Sequence, residues 1–175
     1  MVIMNRLTTE ERAAIVSALV EGNSLRAASR MADVSINTVT KLLLDAGRAC
    51  AEYQNEVLTD LECKRVQCDE IWSFCYAKEK NVPKKLRGRW GYGNVWTWTA
   101  ICADSKLVIS WLVAERNTTA ATAFMKDVAS RLKHRVQLTT DAHKPYLQAV
   151  EDAFGSEVDF SMLSKIYGND PTPQE

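Results

Sequence analysis

The sequence of 175 residues lacks several features that mark particular classes of protein. It has only two histidines, and its five cysteines include no Cys-x-x-Cys pair, so both a zinc site and a disulfide framework are disfavoured. No apolar run approaches the ~20 residues that a membrane-spanning helix needs, and no signal-peptide pattern is present. The formal net charge is zero, so any attraction to polyanions must come from local patches. These absences favour a cytoplasmic globular protein with reduced thiols and no membrane contact.

What is present is the composition of an ordinary folded protein, with 46% hydrophobic and 25% charged residues. A chain of this length can form one sizeable core and a smaller satellite unit. Helix signals come first and strand signals follow, with no Pro-, Gly- or Ser-rich tract between them. We therefore predict a mixed α/β protein with a helical domain over 1–47, a helical linker over 48–64 and a larger domain over 65–175.

The first domain is predicted to contain three short helices. Thr8 and Glu11 can form a capping box before the first helix, and Ser24 and Ser35 are suitable N-caps for the next two. A compact turn between the last two helices is typical of the helix-turn-helix, whose second helix enters the DNA major groove. The residues predicted to contact DNA are Arg26, Arg30, Asn37, Thr38 and Lys41. The alternative is a three-helix bundle that serves protein contacts.

The larger domain is predicted to contain a mixed sheet. Strands are expected over 66–76, 95–103, 107–113 and 136–140, with helices over 118–132 and 145–154. This order, β-β-β-α-β-α, joins three strands by hairpins and adds the fourth through a crossover helix. In such a sheet the fourth strand pairs most simply beside the first.

Two adjacent carboxylates, Asp69 and Glu70, interrupt the first strand, which is otherwise apolar and predicted to be buried. Burying an ionised carboxylate is costly unless it is paired or binds a metal. Asp141 ends the fourth strand, so two or three carboxylates could converge and hold Mg²⁺ or Mn²⁺ through oxygen ligands. Strand alternation puts Asp69 and Glu70 on opposite faces, so only one should be a ligand. The alternatives are pairing of Asp69 with Arg65, Lys64 or a backbone amide, and a helix N-cap role for Asp141.

Basic residues are concentrated over 78–89, where there are six against one acid; we call this stretch the basic segment. It could hold a phosphate backbone near the acids, or it could be a solvated loop. The residues predicted to contact DNA there are Lys84, Lys85, Arg87 and Arg89. His143 and Lys144 are possible accessory residues that contact a phosphate or assist proton transfer, and a surface histidine of no special role is the alternative.

Three motifs are specific enough to compare with known proteins. They read CDEIWSF at 68–74, VWTWTAI at 95–101 and TTDAHKPYLQAVEDAFG at 139–155. Together they resemble the transposases of the bacterial insertion sequence one family, over about residues 5–168. The resemblance implies a helix-turn-helix that binds the terminal inverted repeats of the element. It also implies a ribonuclease-H-like core that cuts DNA ends and joins them to target DNA.

That core, in the family, uses an Asp-Asp-Glu triad with two Mg²⁺ ions. By match of motif, the resemblance assigns the two aspartates to Asp69 and Asp141, and so favours Asp69 over Glu70. It also implies double-stranded DNA as the partner, a homo-oligomer on that DNA, and a location at the bacterial nucleoid.

The sequence departs from the family in several places. It has no N-terminal zinc-binding cysteine cluster, Ala142 stands where the family has glycine, and Cys102 stands where it often has aspartate. The glutamate of the triad belongs to a helix downstream of Tyr167-Gly168, whereas this sequence ends at Glu175. We therefore expect an incomplete ribonuclease-H-like core without that helix, with DNA binding retained and strand transfer weak or absent. The alternatives are a non-catalytic repressor fragment that competes for the inverted repeats, and a folded remnant with neither activity.

Overall fold

The structure of the chain is a computed structural model that describes residues 7–164. The expected frayed end at 169–174, Tyr167-Gly168 and Glu175 lie outside the described residues. The chain divides into two compact units, Met1–Val57 and Leu58–Glu175. The described residues form five α-helices and a mixed sheet of five strands, which confirms the predicted mixed α/β class. Between residues 7 and 164, no helix is both long and apolar enough to cross a membrane.

The first unit consists of three helices, α1 (Thr9–Val20), α2 (Leu25–Met31) and α3 (Ile36–Val57). Their shared core is small and is formed by Ile15, Ala28 and Val39, with Val34 and Leu42 packed against it. The third predicted helix continues into the predicted linker as one helix, α3, because no glycine or proline with helix-breaking geometry interrupts 36–57. The linker was predicted to be helical over 48–64, but α3 ends at Val57 and 58–64 is not helical.

The predicted N-caps of these helices are all present. The Thr8 hydroxyl accepts a hydrogen bond from the Glu11 amide at 3.2 Å, and the Glu11 carboxylate accepts one from the Thr8 amide at 2.7 Å. Ser24 and Ser35 cap α2 and α3 through bonds of 3.1 Å from amides three residues later. Each cap satisfies a backbone N–H that has no partner inside its helix.

The second unit is built on one sheet with the strand order β3-β2-β1-β4-β5. Its elements are β1 (Arg65–Cys75), β2 (Gly93–Cys102), β3 (Val108–Ala114), α4 (Thr118–Arg131), β4 (Val136–Asp141), α5 (Pro145–Phe154) and β5 (Val158–Leu163). The pairs β1–β2 and β2–β3 are antiparallel, and the pairs β1–β4 and β4–β5 are parallel. The fourth strand therefore lies beside the first, as predicted.

The strand β5 was missing from the predicted order. Its sequence, VDFSML, alternates in the way that a half-buried strand should, but the run is only six residues long. It is stabilised by parallel pairing with β4 from Val136↔Val158 to Asp141↔Leu163, which is a contact between segments separated by α5. A local pattern carries little information about such pairing.

One face of the sheet is covered by α4 and α5. No helix of the second unit within residues 58–164 covers the other, which we call the open face. The covered face supplies Val66, Cys68, Trp98 and Leu138 to a core that includes Phe124 and Tyr146 from the two helices. Several residues of the open face are exposed, among them Ile71, Trp111, Val113 and Leu163.

The pairing of β1 is unequal on its two sides, and this places the candidate site. With β2 it forms ten residue pairs, from Val66↔Cys102 to Cys75↔Gly93. With β4 it forms only three, ending at Gln67↔Thr139. Beyond that pair the two strands separate, and we call the space between them the β1–β4 gap.

Candidate functional site

Three carboxylates meet at the β1–β4 gap. Asp69, Glu70 and Asp141 each place a carboxylate oxygen within 4.8 Å of one from each of the others. Asp69 and Asp141 each lie two residues beyond the last β1–β4 pair, which is why neighbouring strands bring them together. We call these three residues the acidic site.

Their burial differs from the sequence expectation. The first strand was predicted to be buried, but β1 is buried only on its helix-covered side and is exposed from Ile71 onward. Asp69 lies on the open face and is exposed, whereas the side chain of Glu70 is only 1% exposed. The alternation of the two faces holds, yet both carboxylates reach the same place because the gap leaves no neighbouring strand between them. Both acids thus lie within reach of one metal ion, and which of them binds it stays a prediction.

Arg116 links two of the three carboxylates. Its Nε donates to Glu70 Oε2 at 3.0 Å, and its Nη2 donates to Asp141 Oδ2 at 2.8 Å. The guanidinium also lies over the ring of Trp96, 5.2 Å from the ring centroid, and the side chain is 30% exposed. Sequence reasoning did not identify Arg116, because it follows β3 and is 46 residues from Glu70 along the chain.

One oxygen of each aspartate accepts a local hydrogen bond. Asp69 Oδ1 accepts a hydrogen bond from the Glu70 amide at 2.8 Å, and Asp141 Oδ1 accepts one from the His143 amide at 3.0 Å. The predicted alternative of a backbone-amide partner for Asp69 is therefore present.

Neither an Arg65 ion pair nor a helix cap explains the two aspartates. Arg65 pairs with Asp104 in the turn after β2 and not with Asp69. Asp141 is not the N-cap of α5, since that position belongs to Lys144, which makes no side-chain capping bond. Both of these expectations from the sequence are wrong.

Four buried polar atoms, one of the acidic site and three of neighbouring rings, have no hydrogen-bond partner among the described residues. These atoms are Glu70 Oε1, Trp98 Nε1, His143 Nε2 and Tyr146 Oη. The rings pack closely, with centroids 5.5 Å apart for Trp98 and Tyr146 and 5.9 Å apart for His143 and Tyr146. Buried polar atoms without partners are rare in folded proteins and often mark sites that receive a water, an ion or a substrate.

Burial and charge shift the pKa values of two of these residues. Burial, followed by the nearby Arg116 guanidinium, lowers the pKa of His143 below its ordinary 6.5, so the imidazole is neutral at pH 7. Burial, followed by interaction with Glu70, raises the pKa of the Tyr146 phenol. His143 is half-buried and its ring packs against that of Trp98, whereas the neighbouring Lys144 is exposed.

A cleft of about 510 Å³ adjoins the acidic site. It is lined by Gln67, Cys68, Asp69, Thr99, Ile101, Thr139, Thr140, Asp141, Ala142 and Leu163. Most of these residues belong to the open face of the sheet, so a ligand could reach Asp69 and Asp141 from that side.

The residues predicted to contact DNA in the first unit are mostly accessible. Arg26, Arg30, Asn37 and Lys41 are exposed. Thr38 is half-buried, and its hydroxyl lies 2.8 Å from the hydroxyl of Ser35. Lys41 pairs with Asp45 at 2.5 Å, one turn further along α3.

In the second unit, the basic segment connects β1 to β2 through two short 3₁₀ helices, Glu79–Asn81 and Lys84–Leu86. All four residues predicted to contact DNA are exposed there, namely Lys84, Lys85, Arg87 and Arg89. Arg87 also donates from Nε to the carbonyl of Val82 at 3.0 Å, which orders the segment. The segment is thus a solvent-exposed connection with local order, and its contact with DNA stays a prediction.

The acidic site could hold a metal ion, since its three carboxylates converge. All three side chains offer oxygen, the donor type that hard divalent cations such as Mg²⁺, Mn²⁺ and Ca²⁺ prefer. The buried and unpaired Glu70 Oε1 supports this fit, because a carboxylate oxygen in that position needs a positive partner. No protein-family model matches the sequence, and no curated protein is significantly similar to it.

Proposed function

We propose that this chain is a DNA transposase of an insertion sequence, whose second unit performs metal-dependent cleavage and strand transfer of DNA. The observation that carries the proposal is the convergence of Asp69 and Asp141, with Glu70, at the β1–β4 gap. Asp69 and Asp141 would hold Mg²⁺ or Mn²⁺. When bound, the metal would supply Lewis-acid stabilisation of the charge that develops on a phosphoryl group.

The topology of the second unit supports a ribonuclease-H-like arrangement. Three antiparallel strands are followed by two parallel strands, in the order β3-β2-β1-β4-β5. The two aspartates lie on β1 and β4, which are adjacent strands of that sheet, at the point where these strands separate. This arrangement is expected if the motifs around Asp69 and Asp141 belong to the catalytic core of a transposase.

Other residues of the second unit would bind and orient the DNA. Lys84, Lys85 and Arg89 are exposed cations that can contact phosphates, and Lys144 is an exposed cation three residues after Asp141. His143 is neutral at pH 7 and could accept a proton at Nε2, which has no hydrogen-bond partner in the described part of the chain.

The first unit would recognise the inverted repeats as a helix-turn-helix. The compact connection between α2 and α3 and the exposed Asn37 and Lys41 on the first turns of α3 support this role. Asn can pair with adenine, and Lys can contact guanine or phosphate. We propose that the chain acts as a homo-oligomer on repeat-end and target DNA, at the bacterial nucleoid.

A second candidate function is repeat binding without cleavage, as a repressor. The observation that favours it is Arg116, whose guanidinium already neutralises part of the acidic site. The first unit has its own core, so it could bind DNA whether or not the second unit is active.

The two functions can be separated by a nicking assay on a duplex that carries the repeat end, with Mg²⁺, Mn²⁺ or EDTA. For a transposase we expect metal-dependent nicks, reduced at least ~100-fold by Asp69→Asn and by Asp141→Asn. The matched control is Glu62→Gln, which neutralises an exposed acid that pairs with Lys133 away from the site.

Three outcomes decide between the functions. Cleavage that persists in Asp69→Asn would refute the assigned catalytic site. Specific repeat binding without cleavage would favour the repressor. No binding to repeat or random DNA at low salt would exclude both functions.

A further inference from the structure

The acidic site contains more negative charge than its own cation can balance. Three carboxylates face one guanidinium, so two negative charges remain if all three acids are ionised. A divalent cation would neutralise that remainder. Arg116 is 30% exposed, so solvent reaches the only guanidinium that pairs with these carboxylates in the described part of the chain.

Glu70 is the member of the site that most needs a further partner. Its side chain is only 1% exposed, and of its two carboxylate oxygens only Oε2 is hydrogen-bonded. Oε1 is buried and makes no hydrogen bond among residues 7–164, although the neutral Tyr146 phenol lies close enough to interact with the carboxylate. Desolvating a carboxylate oxygen without a compensating bond is costly, so this oxygen indicates a missing ligand more strongly than exposed acids do.

The local backbone explains why Glu70 can reach the same ligand as Asp69. Adjacent residues of a strand normally point to opposite faces and cannot share a metal. Here β1 has lost its neighbour β4 beyond Gln67, so the side chains from both faces converge at the β1–β4 gap.

We propose that Glu70 is the third metal-ligating carboxylate of the site, and that Arg116 occupies its place as a counter-cation until the metal displaces it. This inference rests on the proposed function, because it assigns a further ligand to the same centre. It differs from the family resemblance, which places the third acid on a helix downstream of Tyr167. Here the third acid is adjacent to the first on β1.

The proposal is tested by Mn²⁺ binding to the full chain, with free Mn²⁺ measured by electron paramagnetic resonance and no DNA present. We expect Glu70→Gln to weaken binding at least ~10-fold, and we expect the same of Asp69→Asn and Asp141→Asn. We expect Arg116→Gln to tighten binding at least ~3-fold, because a competing cation is removed. Glu62→Gln, which changes one exposed charge outside the site, should bind like the wild type.

The outcomes distinguish this inference from the function on which it rests. If Asp69→Asn loses Mn²⁺ but Glu70→Gln keeps wild-type affinity, the role of Glu70 is refuted and the proposed function survives. If the wild type itself binds no Mn²⁺ at millimolar concentration, both are refuted.

Folding is checked by circular dichroism in EDTA. If Glu70→Gln does not fold, Arg116→Gln decides the matter, since unchanged or weaker Mn²⁺ binding in that variant would overturn the proposal.

Discussion

Arg116 and Glu70 form an ion pair in which the carboxylate is almost fully buried, with Nε and Oε2 3.0 Å apart. The arginine is the more accessible partner, and it comes from the connection between β3 and α4. Stability at the centre of the second unit therefore depends on a residue at its periphery. Removing one member of a buried pair leaves the other charge without compensation.

The first prediction concerns that pair. In metal-free buffer, Arg116→Gln should lower the free energy of unfolding by about 2 kcal/mol, less than for a fully buried pair because the arginine is partly exposed. The double variant Glu70→Gln/Arg116→Gln should be at least ~1 kcal/mol more stable than Arg116→Gln alone, since the uncompensated charge is gone. Urea unfolding in EDTA measures the free energy of unfolding of both variants. Strictly additive effects of the two substitutions would contradict an interaction between Glu70 and Arg116.

The second prediction concerns Gly93, the first residue of β2. Gly93 has φ of +92°, and a Cβ there would meet Glu79 Oε2 at 1.9 Å, the oxygen that accepts a hydrogen bond from the Asn94 amide. Gly93→Ala should therefore cost about 2 kcal/mol, from backbone strain and loss of that bond.

Gly91 provides the matched control for this position. It has a similar φ of +83°, but nothing lies within 4 Å of an added Cβ. Gly91→Ala should cost only the strain, about 1 kcal/mol. Equal losses of stability in the two alanine variants, measured by urea unfolding, would show that the Glu79 contact is unimportant.

The third prediction concerns pH and Asp127 on α4. Burial raises the pKa of Asp127, but hydrogen bonds from Arg131 and from Ser110 outweigh it and hold that pKa below its ordinary 3.8. The unfolded chain then binds the proton more readily, so the stabilisation is present above the unfolded pKa and is lost as the pH falls through the folded pKa.

Asp127→Asn should accordingly destabilise the chain by about 2 kcal/mol near neutral pH, partly because it weakens the bonds that satisfy the buried Arg131. The difference from wild type should shrink as the pH falls below about 4, because the carboxylate of the unfolded chain is protonated first and that of the folded chain only at lower pH. Unfolding curves across this pH range measure the difference in stability, and Asp60→Asn, which changes an exposed residue, is the control. A difference that stays constant down to the lowest pH would be inconsistent with this origin.

The fourth prediction concerns the basic segment. If Lys84 and Lys85 contact phosphates, each substitution by alanine should reduce the slope of log affinity against log salt by about 0.9. The expected loss of affinity is the same for all DNA sequences, because phosphate contacts carry no sequence information. Binding is measured by fluorescence anisotropy at several salt concentrations. The exposed Lys126 on α4 serves as the control, and an equal effect of Lys126→Ala would indicate a general charge effect.

Local chemistry was enough to predict much of the fold. The caps at Thr8, Ser24 and Ser35 lie within three residues of the amides that they bind, so the sequence contains both partners of each bond. The helix Pro145–Phe154 was predicted with its observed bounds, since proline at its start and Gly155 after its end mark it locally.

Features that depend on contacts between residues far apart in the sequence were predicted less well. The strand β5 is stabilised by pairing with β4, and the burial of Glu70 depends on Arg116 from another connection. Alternation correctly placed Asp69 and Glu70 on opposite faces, but it could not reveal that β1 and β4 separate two residues before Asp69. The sequence therefore predicted the acids of the site and not the full set of charges around them.

The brief pairing between β1 and β4 also has a consequence for motion. Past Gln67, the amides of β1 that point away from β2 have no ladder with β4 to protect them, so they should exchange with solvent hydrogen faster than their neighbours. Opening the sheet at this point breaks fewer backbone bonds than anywhere along the ten-pair ladder with β2. The carboxylates therefore lie beside the shorter of the two ladders of β1, where the sheet opens at a lower cost in backbone hydrogen bonds.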